Sequence, residues 1–267
     1  MCLIVVGWHA HPAYPLVVAA NRDEFLARPA VPAHWWTDAA DLLAGRDLEA
    51  GGTWMGLSRE AGGTWMGLSR GGRFAALTNY RDPTLHRPGA PSRGTLVRDC
   101  LTGNDDADRQ LRKVAEVSAQ YAAFNLLVSD GRQLGIHEST TGAVRMLDPG
   151  VYGLSNHVLD TPWPKVKLAR ERFTAALGRL PDTDAFLALL RDDEPAPDHH
   201  LPETGVSADW ERWLSPAFIR APGYGTRCST LILLDHGGNV TFREWSWNER
   251  GEFASEVAHR FTVASGG

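Results

Sequence analysis

Two apolar runs near the start of the chain, 3–8 (Leu-Ile-Val-Val-Gly-Trp) and 15–20 (Pro-Leu-Val-Val-Ala-Ala), constrain the fold more than any other feature. Each reads as a buried strand. The residues between them, His-Pro-Ala-Tyr-Pro, are turn formers, so the pair predicts a hairpin. Segment 73–79 reads as a central strand, and 124–129, 135–138 and 144–147 as short ones. Segments 230–235 and 240–245 form a second hairpin around His236-Gly237-Gly238-Asn239. Helical spacing falls between these strands. Leu111, Val114 and Val117 recur within 105–120, and Val166, Ala169, Phe173 and Leu177 share one face of 165–177. Segments 184–191 and 208–219 also read as helical, 82–94 and 195–202 as loops, and 253–263 as a strand or a helix. Strands, then helices, then strands is not a βαβ alternation. That order excludes a doubly wound parallel sheet and predicts a layered α+β fold with antiparallel sheets.

The 267 residues suit one domain spanning 1–267. A formal charge of −5 and the absence of a Lys/Arg stripe beside the ten tryptophans argue against nucleic acid as a partner. Three cysteines without CxxC spacing exclude a disulfide framework. No apolar stretch approaches the ~18 residues of a membrane span. The apolar start lacks a basic flank and breaks at His9-Ala10-His11-Pro12, so it does not read as a signal peptide, and the cytoplasm is the expected location. His9 with His11, and His199 with His200, lack a third ligand at metal-site spacing, and no metal is expected. Neither a phosphate-cradling glycine loop nor a Gly-x-Ser-x-Gly elbow occurs.

Residues 49–59 and 60–70 are the same eleven residues, EAGGTWMGLSR, in tandem. Packing does not demand identity at exposed positions, so a recent duplication or an assembly error explains it better than a structural repeat. An odd insertion would turn every downstream side chain of a strand to the other face. One copy therefore loops out, or the two fold as a hairpin near Gly62-Gly63.

Cys2 carries the chemistry. Removal of Met1 would leave a thiol (~8.5) and an α-amine (~7.7–8.0) on one residue, the arrangement of an N-terminal nucleophile. Polar clusters stand at strand ends: Asn21-Arg22-Asp23-Glu24, Thr78-Asn79-Tyr80-Arg81, Ser155-Asn156-His157 and Gly223-Tyr224-Gly225-Thr226-Arg227-Cys228. Such clusters can converge on one rim of a sheet. Arg22 can hold a thiolate or a carboxylate. Asp23 can orient the α-ammonium. Asn79 and Asn156 offer donors to an oxyanion, and Arg227 can stabilise negative charge or pair with Asp23. Cys100 and Cys228 read as plain buried thiols.

These residues also carry a resemblance. Met1-Cys2, Ala19-Ala20-Asn21-Arg22-Asp23-Glu24-Phe25, Gly51-Gly52-Thr53-Trp54-Met55-Gly56, Ala75-Ala76-Leu77-Thr78-Asn79-Tyr80-Arg81, Tyr152-Gly153-Leu154-Ser155-Asn156 and Pro222-Gly223-Tyr224-Gly225-Thr226-Arg227 are similar to the NRDE family. Its animal members are called transport and Golgi organization proteins. The doubled Gly-Gly-Thr-Trp-Met-Gly segment departs from the family pattern, which has one copy. The family resembles N-terminal nucleophile hydrolases, which implies an αββα sandwich of two antiparallel sheets between helix layers. The cysteine type, with penicillin V acylase and bile salt hydrolase, attacks linear amides. By that resemblance Cys2, Arg22, Asp23, Asn79, Asn156 and Arg227 form the site, the partner is a small-molecule substrate, and hydrolysis requires no cofactor. The animal members are associated with secretory organisation, lipid metabolism and haem trafficking. The alternative is therefore a non-catalytic haem carrier, with Cys2, His9, His11 and His157 as candidate ligands. A composition rich in Ala, Arg, Gly and Asp suggests a bacterial source.

Overall fold

The computed structural model describes residues 2–48 and 63–264. In chain order the elements are β1 (Cys2–Trp8), β2 (Leu16–Phe25), β3 (Ala30–Trp35), β4 (Leu42–Asp47), β5 (Met66–Ser69) and β6 (Phe74–Asn79). Helices α1 (Gly94–Thr102) and α2 (Ala107–Val117) follow, then β7 (Phe124–Ser129), β8 (Leu134–Glu138), β9 (Ala143–Met146) and β10 (Gly150–Leu154). The last third holds α3 (Pro164–Leu177), α4 (Asp184–Leu190), α5 (Ala208–Trp213), β11 (Arg220–Ala221), β12 (Tyr224–Leu234), β13 (Asn239–Trp247) and β14 (Phe253–Thr262). The fold is α+β with two antiparallel sheets. Its contacts divide into two compact units, one of residues 1–27, 81–84 and 149–261, the other of 28–80, 85–148 and 262–267.

In the first unit the strand order is β10-β1-β2-β12-β13-β14, with β11 beside β12. The predicted hairpin is β1–β2, in register from Cys2 opposite Arg22 to Trp8 opposite Leu16. Alternation sends Leu3, Val5, Val17, Ala19, Leu231 and Leu233 to one face, where they pack with Val166, Ala169 and Phe173 of α3 and Phe186 and Leu190 of α4. Phe173 is fully buried there, which stabilises the unit by about 2–3 kcal/mol. Gly153 is required by the same packing. A Cβ at that position would lie 2.7 Å from Val166 Cγ1 and 2.9 Å from Arg170 Cδ, so α3 could not approach β10.

In the second unit the order is β3-β4-β5-β6-β7-β8-β9, with β6 at the centre as expected. Leu42, Ala44, Ala75, Leu77, Leu126 and Val128 pack with Leu96, Val97 and Leu101 of α1 and Leu111 and Val114 of α2. Strand β5 comes from the second copy of the tandem segment and is paired by β4 and β6. Its glycines explain the fit. A Cβ at Gly67 would meet Ala44 Cβ and Leu101 Cδ1 at 2.9 Å, and one at Gly63 would meet Gly94 Cα at 2.9 Å. The first copy, 49–59, lies outside the described residues.

Several elements differ from the expected pattern, among them β3 and β4, for which no strand was expected, and β12, which starts at Tyr224 rather than 230. Strand β2 does not end at Ala20 but runs through Asn21-Arg22-Asp23-Glu24 to Phe25, because β12 pairs with all of these residues and β1 with Asn21 and Arg22. Helix α1 was not signalled, its four buried residues Leu96, Val97, Cys100 and Leu101 being a short stripe. The helix expected over 208–219 stops at Trp213, and Pro216 soon after disfavours continuing it. Segment 253–262, open between strand and helix, is the strand β14.

Cys100 is buried on the inner side of α1. Burial pushes its thiol up to about 12, with Gln110 acting against the shift. An unfolded thiol ionises near ~8.5. The folded state therefore binds the proton longer, and stability falls as pH rises from ~8.5 towards 12. Chemical denaturation across this range should show the decline, and Cys100→Ala should flatten it.

Candidate functional site

The rim of the first sheet is built around β2. Cross-strand partners share a face, so Cys2 of β1, Arg22 of β2 and Cys228 of β12 stand side by side. All three are buried. The ladder between β2 and β12 is interrupted between Thr226 and Cys228. Arg227 is the extra residue of that bulge, and Asp23 is left opposite Thr226.

Cys2 is anchored through its backbone. Its nitrogen donates to Asn156 Oδ1 at 3.3 Å, and its carbonyl accepts from Ser155 Oγ at 3.0 Å. Ser155 and Asn156 follow β10, the strand paired with β1 on the side away from β2. Burial pushes the Cys2 thiol up, and the Asp23 charge acts in the same sense. The Arg22 guanidinium and a hydrogen bond from the Asp23 backbone act against it. Arg22 lies 3.9 Å from Glu24.

Asp23 accepts a hydrogen bond from Thr226 Oγ1 at 2.7 Å, and its carbonyl accepts from Tyr224 OH at 2.8 Å. Burial raises its carboxyl above the usual range, opposed by the Lys165 cation, the Thr226 hydroxyl and Arg22. Asn21 serves the fold. Its Nδ2 donates to Leu190 O at 2.7 Å and Ala217 O at 2.8 Å, while its Oδ1 accepts from Ser229 Oγ at 2.6 Å.

A second tier lies behind Asn156. The Arg81 nitrogen donates to Asn156 O at 2.7 Å. The Arg81 guanidinium donates to Glu211 Oε2 at 2.7 Å and sits 4.3 Å from the centre of the Trp163 ring. Glu211 Oε1 in turn accepts from the nitrogen and hydroxyl of Thr204. Lys165, in the first turn of α3, is buried and donates from Nζ to Leu214 O at 2.8 Å.

Of the six residues expected in the site, Cys2, Arg22, Asp23 and Asn156 come together on this rim. Arg227 is placed at the bulge, where Nη1 donates to Phe25 O at 3.1 Å and Leu26 O at 2.9 Å, closing the end of β2. Asn79 ends β6 in the second unit. Arg81, Lys165 and Glu211 were given no site role from the sequence. Arg81 lies inside a quoted motif, and Lys165 falls within the apolar stripe of α3, one helical turn before Ala169. A charge inside an apolar stripe is the signal that would have found it. Among the described residues there is no group of three or more His, Cys, Asp or Glu placed to hold a metal, and no helix long and apolar enough to cross a membrane.

The fold and rim define an α+β protein of two antiparallel sheets with a buried cysteine at a strand start, set among Arg, Asp and Asn. The family model of Transport and Golgi organisation 2 matches residues 1–249, and the chain belongs to that family. The cattle (Bos taurus) Transport and Golgi organization protein 2 homolog is 38% identical over 272 residues, covering 92% of this chain and 93% of its own. The human (Homo sapiens) homolog is 36% identical and covers 94% of each chain. The Drosophila melanogaster protein is 26% identical and covers 91% of each. Among solved structures, a Caenorhabditis elegans N-acylethanolamine-hydrolyzing acid amidase ortholog matches with a TM-score of 0.46 at 11% identity, covering 87% of this chain and 92% of that one. The C2A mutant of conjugated bile acid hydrolase from Clostridium perfringens gives 0.47 at 8% identity, covering 98% of this chain and 92% of that one.

Proposed function

We propose that the chain is a cysteine amidohydrolase that cleaves a small linear amide through an acyl-enzyme on Cys2. The observation that supports it is the 3.3 Å hydrogen bond from the Cys2 nitrogen to Asn156 Oδ1. Removal of Met1 turns this backbone N–H into an α-amine that titrates near ~7.7–8.0. A neutral acceptor already holds that nitrogen next to the thiol. The α-amine takes the Sγ proton, and the thiolate attacks the substrate carbonyl to give a tetrahedral oxyanion. The C–N bond then breaks, and the leaving amine departs with the proton. Water, deprotonated by the α-amine, hydrolyses the thioester and regenerates the thiol.

Arg22, one strand away from Cys2, supplies a fixed cation beside the sulfur. Asp23 orients the α-ammonium. Asn156 keeps the nitrogen in place, and its amide group is the donor type an oxyanion requires. All four groups belong to the first unit.

The reading is tested by intact-mass spectrometry of the purified protein incubated with a panel of N-acyl amides. The expected result is complete loss of Met1 and a transient acyl mass on Cys2. Amide turnover by protein that retains Met1 throughout would overturn the mechanism. Haem binding with Cys2 inert to every acyl donor would favour the carrier alternative.

A further inference from the structure

Segment 223–228 offers the site a charge, Arg227, but that guanidinium closes the end of β2 on Phe25 O and Leu26 O. The side chain of this segment that reaches the Asp23 carboxylate is Thr226. The interrupted ladder puts Arg227 in the bulge and leaves Thr226 opposite Asp23. Thr226 Oγ1 lies 2.7 Å from Asp23 Oδ1. Both residues are buried, at 2% and 1% exposure.

A third group fixes the direction of that hydrogen bond. Ile219 N donates to Thr226 Oγ1 at 2.9 Å, and Thr226 N donates back to Ile219 O at 3.0 Å. A hydroxyl has one proton to give. The Ile219 N–H turns that proton away from Ile219, and among the described residues its acceptor is Asp23 Oδ1. Glycine at 225 admits the Ile219 segment, since a Cβ there would lie 2.8 Å from Ile219 O. Tyr224 adds a second clamp, its OH donating to Asp23 O at 2.8 Å. Tyr224-Gly225-Thr226 thus grips Asp23 by main chain and side chain from one strand.

We propose that Thr226 is a positioning residue of the Cys2 site, whose hydroxyl donates to Asp23 Oδ1 and holds that carboxylate oriented and ionised. A donor aimed at a carboxylate favours its charged form, and it acts here against the burial of Asp23. The other charged and titratable groups around Asp23 are Arg22 beside it on β2, Cys2 of β1, Lys165 of α3, Arg81 after β6 and Tyr224 of β12. The chemical consequence, an Asp23 anion ready to orient the α-ammonium, rests on the acyl-enzyme reading. The grip of Thr226 on Asp23 does not, and it is measured without turnover.

The experiment is NMR of the full-length protein labelled with 13C-aspartate and 13C-threonine, titrated downward from neutral pH. The Asp23 carboxyl signal is the one missing from Asp23→Asn. Thr226→Val keeps the side-chain shape without the hydroxyl, so the Asp23 midpoint should rise, because the charged form has lost a donor. Thr226→Ser should bring the midpoint back. Tyr224→Phe releases only the main chain of Asp23 and should move the midpoint less than Thr226→Val does. A merely structural role for Thr226 would not sort the three variants this way. On the acyl-enzyme reading, kcat on the acid side should fall about tenfold in Thr226→Val and recover in Thr226→Ser. In the native chain the Thr226 hydroxyl proton should be protected from exchange, and its shift should follow the Asp23 carboxyl signal through the titration. That measurement holds whether or not any variant folds. A Thr226 hydroxyl proton indifferent to the state of Asp23, or an Asp23 midpoint that Thr226→Val leaves in place, overturns the proposal. A midpoint that moves as expected while Cys2 forms no acyl adduct would sink the hydrolase reading alone.

Discussion

On the proposed hydrolase reading, Cys2→Ala should abolish amide hydrolysis, lowering kcat by about a thousandfold or more, and should leave the fold intact. The loss follows from the covalent route. Without sulfur no thioester forms, and Arg22, Asp23 and Asn156 are left to polarise a carbonyl that nothing attacks. The fold should survive because the anchors of this residue are main-chain. The hydrogen bonds to Asn156 Oδ1 and from Ser155 Oγ do not involve the thiol. Alanine is also small enough to sit opposite Arg22 in the ladder. Steady-state rates and thermal melts of both proteins, measured together, check the prediction. A variant that melts like the native chain and still hydrolyses the amide at more than a tenth of the native rate would show that Cys2 is not the nucleophile. Cys2→Ser is the informative companion. A hydroxyl is far harder to ionise than a thiol, so the serine variant should retain little activity.

The sequence shows its strands wherever apolar residues run unbroken, and hides them where chemistry interrupts the pattern. The run 15–20 marks β2, but the strand continues through Asn21, Arg22, Asp23 and Glu24, whose polar side chains resemble a turn. Pairing with β12 keeps those residues extended, and no local propensity encodes pairing that comes from residues 224–234. The same limit governs the site. Cys2, Arg22, Asp23 and Asn156 are visible because each stands in a polar cluster at a strand end. Lys165 and Glu211 lie within helices, and only tertiary packing gives them their partners, Leu214 O and Arg81. Arg227 was visible as a charge, but its direction depends on a bulge that appears only once β12 is paired with β2. The second copy of the tandem segment forms β5 through a tertiary fit, its Gly63 and Gly67 lying under α1.

Breaking the Arg81–Glu211 pair should have the largest effect on stability, about 3–5 kcal/mol for Arg81→Met. Both side chains are nearly inaccessible, 4% and 5% exposed, and they meet at 2.7 Å. Removing the guanidinium leaves a buried carboxylate whose other oxygen is held by Thr204, and a lone buried charge is costlier than a missing contact. The cation over the Trp163 ring is lost as well. Glu211→Gln should also destabilise, because its single carbonyl oxygen can accept from Arg81 or from Thr204 but not both, and the buried guanidinium loses its carboxylate. Removing both charges, as Arg81→Met with Glu211→Leu, should recover much of the single-variant loss, since no unpaired ion remains. Urea melts of the native chain, Arg81→Met, Glu211→Leu and the double variant form a double-mutant cycle that measures the coupling. A single-variant loss below about 1 kcal/mol, the range of an exposed pair, would mean that water reaches Glu211 and that the pair is not the anchor behind Asn156. The pair lies next to the Cys2 anchor, because the Arg81 backbone bonds the Asn156 carbonyl while the Asn156 side chain holds the Cys2 nitrogen.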